Sequence, residues 1–216
     1  MIFHESLNEH DSLILFFTGW GCDENPTSHL TSDKYDIITV YDYTDLSNTS
    51  ALTSRIRQYN KVVLISWSFG VKTAYQILSK ELFNRRIAVN GTIALIDKNF
   101  GIPPEIFVRT RDNLTEESLI RFYKNMTLDH FSFFYSNRPQ RSFSSIKNEL
   151  SLLDKSPIKC DYDFYDEVFV SSRDLIIPSA NQNSFWQTNC GIKPMKLDAP
   201  HYPFYLWNKW ENILNE

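Results

Sequence analysis

An α/β fold, with a mostly parallel central sheet and helices on both faces, is what this sequence predicts, and three observations predict it. Short apolar, β-branched runs alternate with helix-like stretches along the chain, and that order requires crossovers that cover both faces of a parallel sheet. One run ends abruptly in Ser66-Trp67-Ser68-Phe69-Gly70 and passes straight into a helical pattern. At 216 residues and 42% hydrophobic content, the chain is suited to one domain, 1–216, with a substantial core.

Residues 13–17 read as a buried strand, 37–41 as a second, 61–66 as a third, 87–89 or a little beyond as a fourth and 167–171 as a fifth. Residues 1–4 can add an edge. Between them, 52–58 and 71–82 have helical periodicity, the second with Ala74, Ile77, Leu78 and Leu82 along one stripe. Residues 184–188 are too short to assign, and 205–214 suit a terminal helix.

The stretch 100–157 breaks the rhythm, because a crossover usually takes about a dozen residues or somewhat more. A helical lid insertion is expected there, above the C-terminal edge where open α/β sheets bind ligands. Within it, 113–116 resembles a capping box with Thr115 as an alternative cap, and Leu119, Phe122, Tyr123 and Met126 follow on one face. Residues 145–154 form a second helix candidate, with Ile146, Leu150 and Leu153 on one side.

Composition excludes several classes of function. The longest early apolar run is too short to span a bilayer, and Glu5, Glu9 and Asp11 stand where a signal peptide would be basic, so the expected location is the cytoplasm, with no membrane contact. A net charge of −4 gives no reason to expect a nucleic-acid partner. Cys22, Cys160 and Cys190 are odd in number and lack metal-ligand spacing, so reduced thiols and no metal site are expected. The four Asn-x-Ser/Thr triplets, at Asn48, Asn90, Asn113 and Asn125, read as chance in an unsecreted chain.

The serine turn carries the chemistry. A serine hydroxyl is a poor nucleophile until a base takes its proton, so it needs exposure and an imidazole. In a nucleophile elbow a tight strand-to-helix bend lifts the serine above the sheet, and the positions two before and two after it must be small. Ser66 and Gly70 occupy those positions around Ser68, although the usual first glycine is here a serine. An ordinary strand-to-helix connection is the alternative.

An oxyanion needs two fixed donors. The backbone N–H of Phe69, directly after Ser68, is one candidate. Thr18-Gly19-Trp20-Gly21 follows the strand at 13–17, which makes the Trp20 N–H the other; a plain glycine turn with Trp20 as packing is the alternative.

In the α/β-hydrolase order of serine, acid and histidine, only His130 and His201 follow Ser68. His201 lies in a proline-flanked loop before the last helix candidate, whereas His130 falls in the insertion. For the acid, Asp174 in Ser171-Ser172-Arg173-Asp174 follows the strand at 167–171, and Asp97, after the fourth strand, competes with it. Its task is to orient the imidazole. Asp42 precedes the serine and reads as a loop-orienting carboxylate.

Taken together, Phe17-Thr18-Gly19-Trp20-Gly21, Tyr41-Asp42-Tyr43, the serine turn, Val89-Asn90-Gly91-Thr92, Phe100-Gly101-Ile102-Pro103, Val170-Ser171-Ser172-Arg173-Asp174 and His201 give the chain a family likeness. Over nearly its whole length it resembles the BioG type of pimeloyl-acyl carrier protein methyl ester esterase, in which the first elbow glycine is commonly another small residue. The resemblance implies an α/β-hydrolase fold and hydrolysis of the distal methyl ester of a carrier-bound pimeloyl chain, a step of biotin synthesis. It also implies no cofactor and acyl carrier protein as partner. On that reading Trp20, Phe131, Phe133, Phe134 and Tyr135 can line an acyl channel, or the phenylalanines and the tyrosine can be insertion core. An acidic carrier calls for a basic surface, and Arg138, Arg141 and Lys147, with no acid between 132 and 147, are candidates to dock it, or else form a solvated face. A generic short-chain carboxylesterase or thioesterase is the nearest rival. An inactive hydrolase-fold module that binds an acyl chain is another.

Overall fold

The computed structural model describes residues 1–153 and 162–215. Seven strands form one sheet: β1 (Ile2–Ser6), β2 (Ser12–Phe17), β3 (Asp36–Tyr41), β4 (Lys61–Trp67), β5 (Arg85–Val89), β6 (Glu167–Ser171) and β7 (Met195–Leu197). Their order is β1-β3-β2-β4-β5-β6-β7, with β1 antiparallel to β3 and every other pair parallel. The central strands β2 and β4 are buried on both faces, which is why they read as unbroken apolar runs rather than alternating ones.

Helices α1 (Thr49–Ile56), α2 (Phe69–Ile77), α7 (Ser179–Asn189) and α8 (Trp210–Leu214) accompany the sheet. Between β5 and β6 lie α3 (Pro104–Asp112), α4 (Glu116–Thr127), α5 (Phe131–Ser136) and α6 (Phe143–Leu153). Thr115, not Asn113, caps α4: its hydroxyl accepts from Ser118 N–H while the Ser118 hydroxyl accepts from Thr115 N–H. The predicted α6 extends to Asp154, which lies outside the described residues, as does Cys160.

Two expected helices differ from the structure, and two further elements were not assigned from the sequence. The helix expected over 71–82 stops at Ile77, because Leu78 turns extended, and a short 3-10 turn at Lys80–Leu82 follows. The terminal helix is likewise divided into a 3-10 turn, Phe204–Leu206, and α8. Helix α7 runs well beyond 184–188; its mostly polar sequence buries only Gln182, Phe185 and Trp186, which hides it from a periodicity reading. The edge strand β7 has three residues, two of them exposed, and so carries little hydrophobic pattern.

Among the described residues, no helix is long and apolar enough to cross a membrane.

Candidate active site

The C-terminal ends of β2, β4, β6 and β7 deliver the site. Ser68 joins β4 to α2 with φ 57° and ψ −120°, a left-handed conformation that a non-glycine residue adopts at a cost. The bend is possible because its neighbours are small. A Cβ on Gly70 would lie 2.4 Å from the Phe17 carbonyl oxygen, and Ser66 is wholly buried within the sheet. The Ser68 N–H donates to the Val89 carbonyl at 3.0 Å, tying the turn to the end of β5.

His201 Nε2 lies 2.9 Å from Ser68 Oγ, and its Nδ1 lies 2.7 Å from Asp174 Oδ2. The three side chains are almost fully buried. Asp174 is held by an Asx-type loop in which Oδ1 accepts the N–H groups of Ile176 and Ile177 at 2.8 and 2.9 Å. Gln182 of α7 donates to Oδ2 at 2.8 Å. Asp97, by contrast, accepts from the amides of Asn99 and Phe100 in its own loop. Asp42 accepts from Thr44 and Ser145 and pairs with Arg141.

Strand β7, missed in the sequence, carries the histidine loop alongside the acid loop. The N–H groups of Ser172 and Arg173 donate to the carbonyls of Leu197 and Ala199. Two further donors hold the His201 carbonyl: Trp67 Nε1 and Asn90 Nδ2, each at 2.9 Å. Asn90 also donates to Ser171 Oγ and accepts from the Ser171 N–H, so the side chain of this one residue, whose backbone stands at φ 45°, joins the ends of β5 and β6 to the histidine. The Asn-Gly-Thr motif signalled this position, but its partners are too distant in sequence for its role to be read there. His130 stacks on Tyr205, with ring centroids 3.4 Å apart.

Ser68 opens into a cavity of about 420 Å³ that Trp20, Phe69 and His201 also line. Its walls come from α3 and α4, including Ile106, Phe107, Phe122 and Met126. The Phe69 N–H is the first amide of α2, a donor a helix leaves without an internal partner. Among the described residues no group accepts from the Trp20 amide, whereas its indole N–H donates to the Ile146 carbonyl at 2.8 Å.

The insertion's aromatic residues sit elsewhere than expected. Phe134 is fully buried against Tyr123 and Tyr202, Phe131 packs on Tyr135 beside the Lys124 ammonium, and Phe133 is exposed with its ring near His29. None of these residues lines the cavity. Phe131, Phe134 and Tyr135 pack on one another, Tyr123 or Tyr202, and the cavity wall instead includes Phe122 of α4 with Ile106 and Phe107 of α3.

Arg141 also departs from the docking role. Its side chain is only 6% exposed and lies 2.7 Å from Glu149 and 3.1 Å from Asp42. Arg138 is exposed, over the Tyr135 ring. Arg109 and Arg121 line a groove that shares Arg109, Thr110, Phe122 and Asn125 with the cavity. Both arginines lie on helices, apart from any run of like charge in the sequence.

A sheet in this order, with a strained serine after a central strand facing a histidine and an aspartate from later loops, defines an α/β-hydrolase. Residues 3–213 match the family described as pimeloyl-ACP methyl esterase BioG, and the chain belongs to that family. It is 34% identical over 219 residues to an uncharacterized protein of Haemophilus influenzae, covering 98% of this chain and 97% of that one. It is 35% identical over 195 residues to a malonyl-[acyl-carrier protein] O-methyltransferase of Bacteroides fragilis, covering 88% of this chain but only 39% of that longer protein. The crystal structure of BioG from Haemophilus influenzae superposes with a TM-score of 0.89 at 30% identity, covering 98% of this chain and 99% of that one. The enol-lactonase of Burkholderia xenovorans shares the fold at 12% identity, with a TM-score of 0.69 and coverage of 93% and 89%.

Proposed function

We propose that this protein hydrolyses the methyl ester of pimeloyl-acyl carrier protein methyl ester, giving pimeloyl-acyl carrier protein and methanol, in biotin synthesis and in the cytoplasm. The observation that carries the reading is the row Ser68, His201, Asp174 opening into an apolar cavity, in a chain of this family.

With Nδ1–H donated to Asp174, His201 Nε2 holds the lone pair that faces the Ser68 hydroxyl. As Ser68 Oγ bonds to the ester carbonyl carbon, its proton passes to Nε2. The charge that develops on the carbonyl oxygen meets the N–H groups of Trp20 and Phe69. Collapse of the tetrahedral intermediate breaks the carbon–methoxy bond, and the imidazolium protonates the leaving methanol. Water, deprotonated by the same nitrogen, then releases the acyl group from Ser68.

The substrate has two reactive bonds, a distal oxyester and a thioester to the carrier arm. The cavity favours the distal one: a methylene chain can lie between α3 and α4 against Ile106, Phe107 and Phe122, while the carrier stays outside at the groove with Arg109 and Arg121. The Bacteroides fragilis relative is named for methylating an acid on acyl carrier protein, which supports a carrier-linked methyl ester as the substrate class.

Incubation of the protein with the methyl ester of pimeloyl-acyl carrier protein, followed by mass measurement of the carrier, tests this. The expected product is an intact acyl carrier lighter by one methylene, with methanol released. A bare carrier thiol would replace the reading with a thioesterase, and unchanged carrier would remove it.

A further inference from the structure

A serine esterase gains from its oxyanion donors only if they are held where the charge develops, and a displacement of about 1 Å can cost about 100-fold in rate. The loop that carries Trp20 has few anchors of its own. Thr18 N–H donates to Val40, Cys22 N–H closes a turn onto Gly19, and the Tyr43 hydroxyl donates to the Thr18 carbonyl.

The remaining ties come from the insertion. Glu149 of α6 is wholly buried, and both of its oxygens are used: Oε2 accepts the Gly21 N–H at 3.0 Å and Arg141 Nη1 at 2.7 Å, while Oε1 accepts the Tyr43 N–H at 2.8 Å. Arg141 in turn reaches the Cys22 carbonyl and Asp42. Trp20 is fastened by its indole to Ile146, nearly one turn earlier on α6. Thus Trp20 and the two residues that follow it bond to α6 or to the arginine paired with it.

Burying an ion pair is a poor way to gain stability, since apolar side chains of similar size often serve as well or better. What a carboxylate here does that an apolar group cannot is bind two specified amides. Burial pushes the Glu149 carboxyl above its ordinary range, and the Arg141 guanidinium with the amides of Tyr43 and Gly21 only partly offsets that rise.

We propose that Glu149 is a positioning residue for the oxyanion hole: by holding Gly21 and Tyr43 together under α6, it fixes the Trp20 N–H relative to Ser68. This rests on the esterase reading of Ser68, and it makes the insertion part of the catalytic geometry as well as a cover for the acyl chain.

Glu149→Gln keeps the shape but sets an NH₂ against an N–H. If its oxygen serves Gly21 and Arg141, its nitrogen confronts Tyr43; if reversed, it confronts Gly21 and the guanidinium. The full chain is assayed on a small p-nitrophenyl ester, which needs no carrier. Binding is measured in parallel for an alkyl trifluoromethyl ketone, whose adduct with Ser68 puts an oxyanion in the hole, and for the matching methyl ketone, which mimics the ground state. Glu149→Gln is expected to lower kcat about 10–100-fold with KM within about threefold. Trifluoromethyl ketone binding should weaken by the same factor as kcat/KM, methyl ketone binding should be unchanged, and Glu149→Asp should recover part of the loss.

Equal weakening of both ketones, or a lower Tm with unchanged kcat, would overturn the proposal. If Glu149→Gln fails to fold, Arg141→Lys, which removes the fork holding Cys22 and Asp42, is measured against the same outcomes. A wild-type protein that neither cleaves the ester nor binds the trifluoromethyl ketone overturns the esterase reading itself. One that does both while the variant matches it overturns only the role of Glu149.

Discussion

The sheet's C-terminal edge and the insertion above it are held by different means. At the edge, main-chain geometry dominates: a positive φ at Ser68, a glycine that lets α2 approach Phe17, and amide-to-carbonyl bonds that join the acid and histidine loops. In the insertion, side chains dominate. Phe134 is enclosed by Tyr123 and Tyr202, and Glu149, Arg141 and the partly buried Asp42 form a charged network between α6 and the loops after β2 and β3. Backbone geometry leaves a local trace in the sequence, whereas a network between residues a hundred positions apart does not.

The sharpest way to break this comparison is at the edge itself. Ser68→Ala and His201→Ala are each expected to lower kcat by about 10⁴-fold or more without loss of folding, because each removes a group that the reaction cannot replace. Asp174→Asn should fall by about 10⁴-fold, since an amide facing Nδ1 favours the wrong tautomer, while Asp97→Asn should stay within about twofold of wild type because its partners are two amides of its own loop. Steady-state rates on a small ester, with circular dichroism for folding, decide it. Reversal of the two aspartates would show that the edge is assembled differently during turnover.

That contrast explains what was legible. Five strands were readable because parallel strands buried on both faces are continuous apolar runs, and β6 was readable to the residue. Ser68, His201 and Asp174 could be singled out because an elbow is local and chain order restricts its partners. Asn90 and Gln182 could not be given roles, since each acts on a loop more than one element away or through a polar helix with no stripe. Arg141 misled for the same reason: with no acid between 132 and 147 it looked like surface, but one of its acids, Asp42, comes from the loop after β3, and the other, Glu149, lies just beyond that stretch. Helix α3 was hidden because it begins at consecutive prolines and turns only Phe107 fully inward.

A smaller effect tests backbone clearance alone. Gly70→Ala would place a methyl group 2.4 Å from the Phe17 carbonyl, an atom of the central strand that has nowhere to retreat. The expected loss is about 3 kcal/mol or more, or about 6–12 °C in Tm, measurable by thermal unfolding. A tolerated alanine would mean that β2 and α2 can separate, and that steric clearance does not fix the elbow.

The smallest effect belongs to the insertion's outer face. Arg109→Glu with Arg121→Glu should raise KM for the carrier-linked ester about tenfold at low salt and change KM for a small ester far less, because charge at the rim of an interface acts chiefly on encounter and is screened by ions. Arg138→Glu, on the segment between α5 and α6, should do less than the pair, since Arg138 lines neither the cavity nor the groove. KM measured for both substrates across a salt series separates the outcomes. If the Arg138 variant carries the larger, salt-sensitive rise, the carrier docks over α5 and the acyl chain must enter by a path other than the gap between α3 and α4. A salt-independent rise shared by both substrates would instead mean that Arg109 and Arg121 shape the cavity mouth and make no contact with an acidic partner.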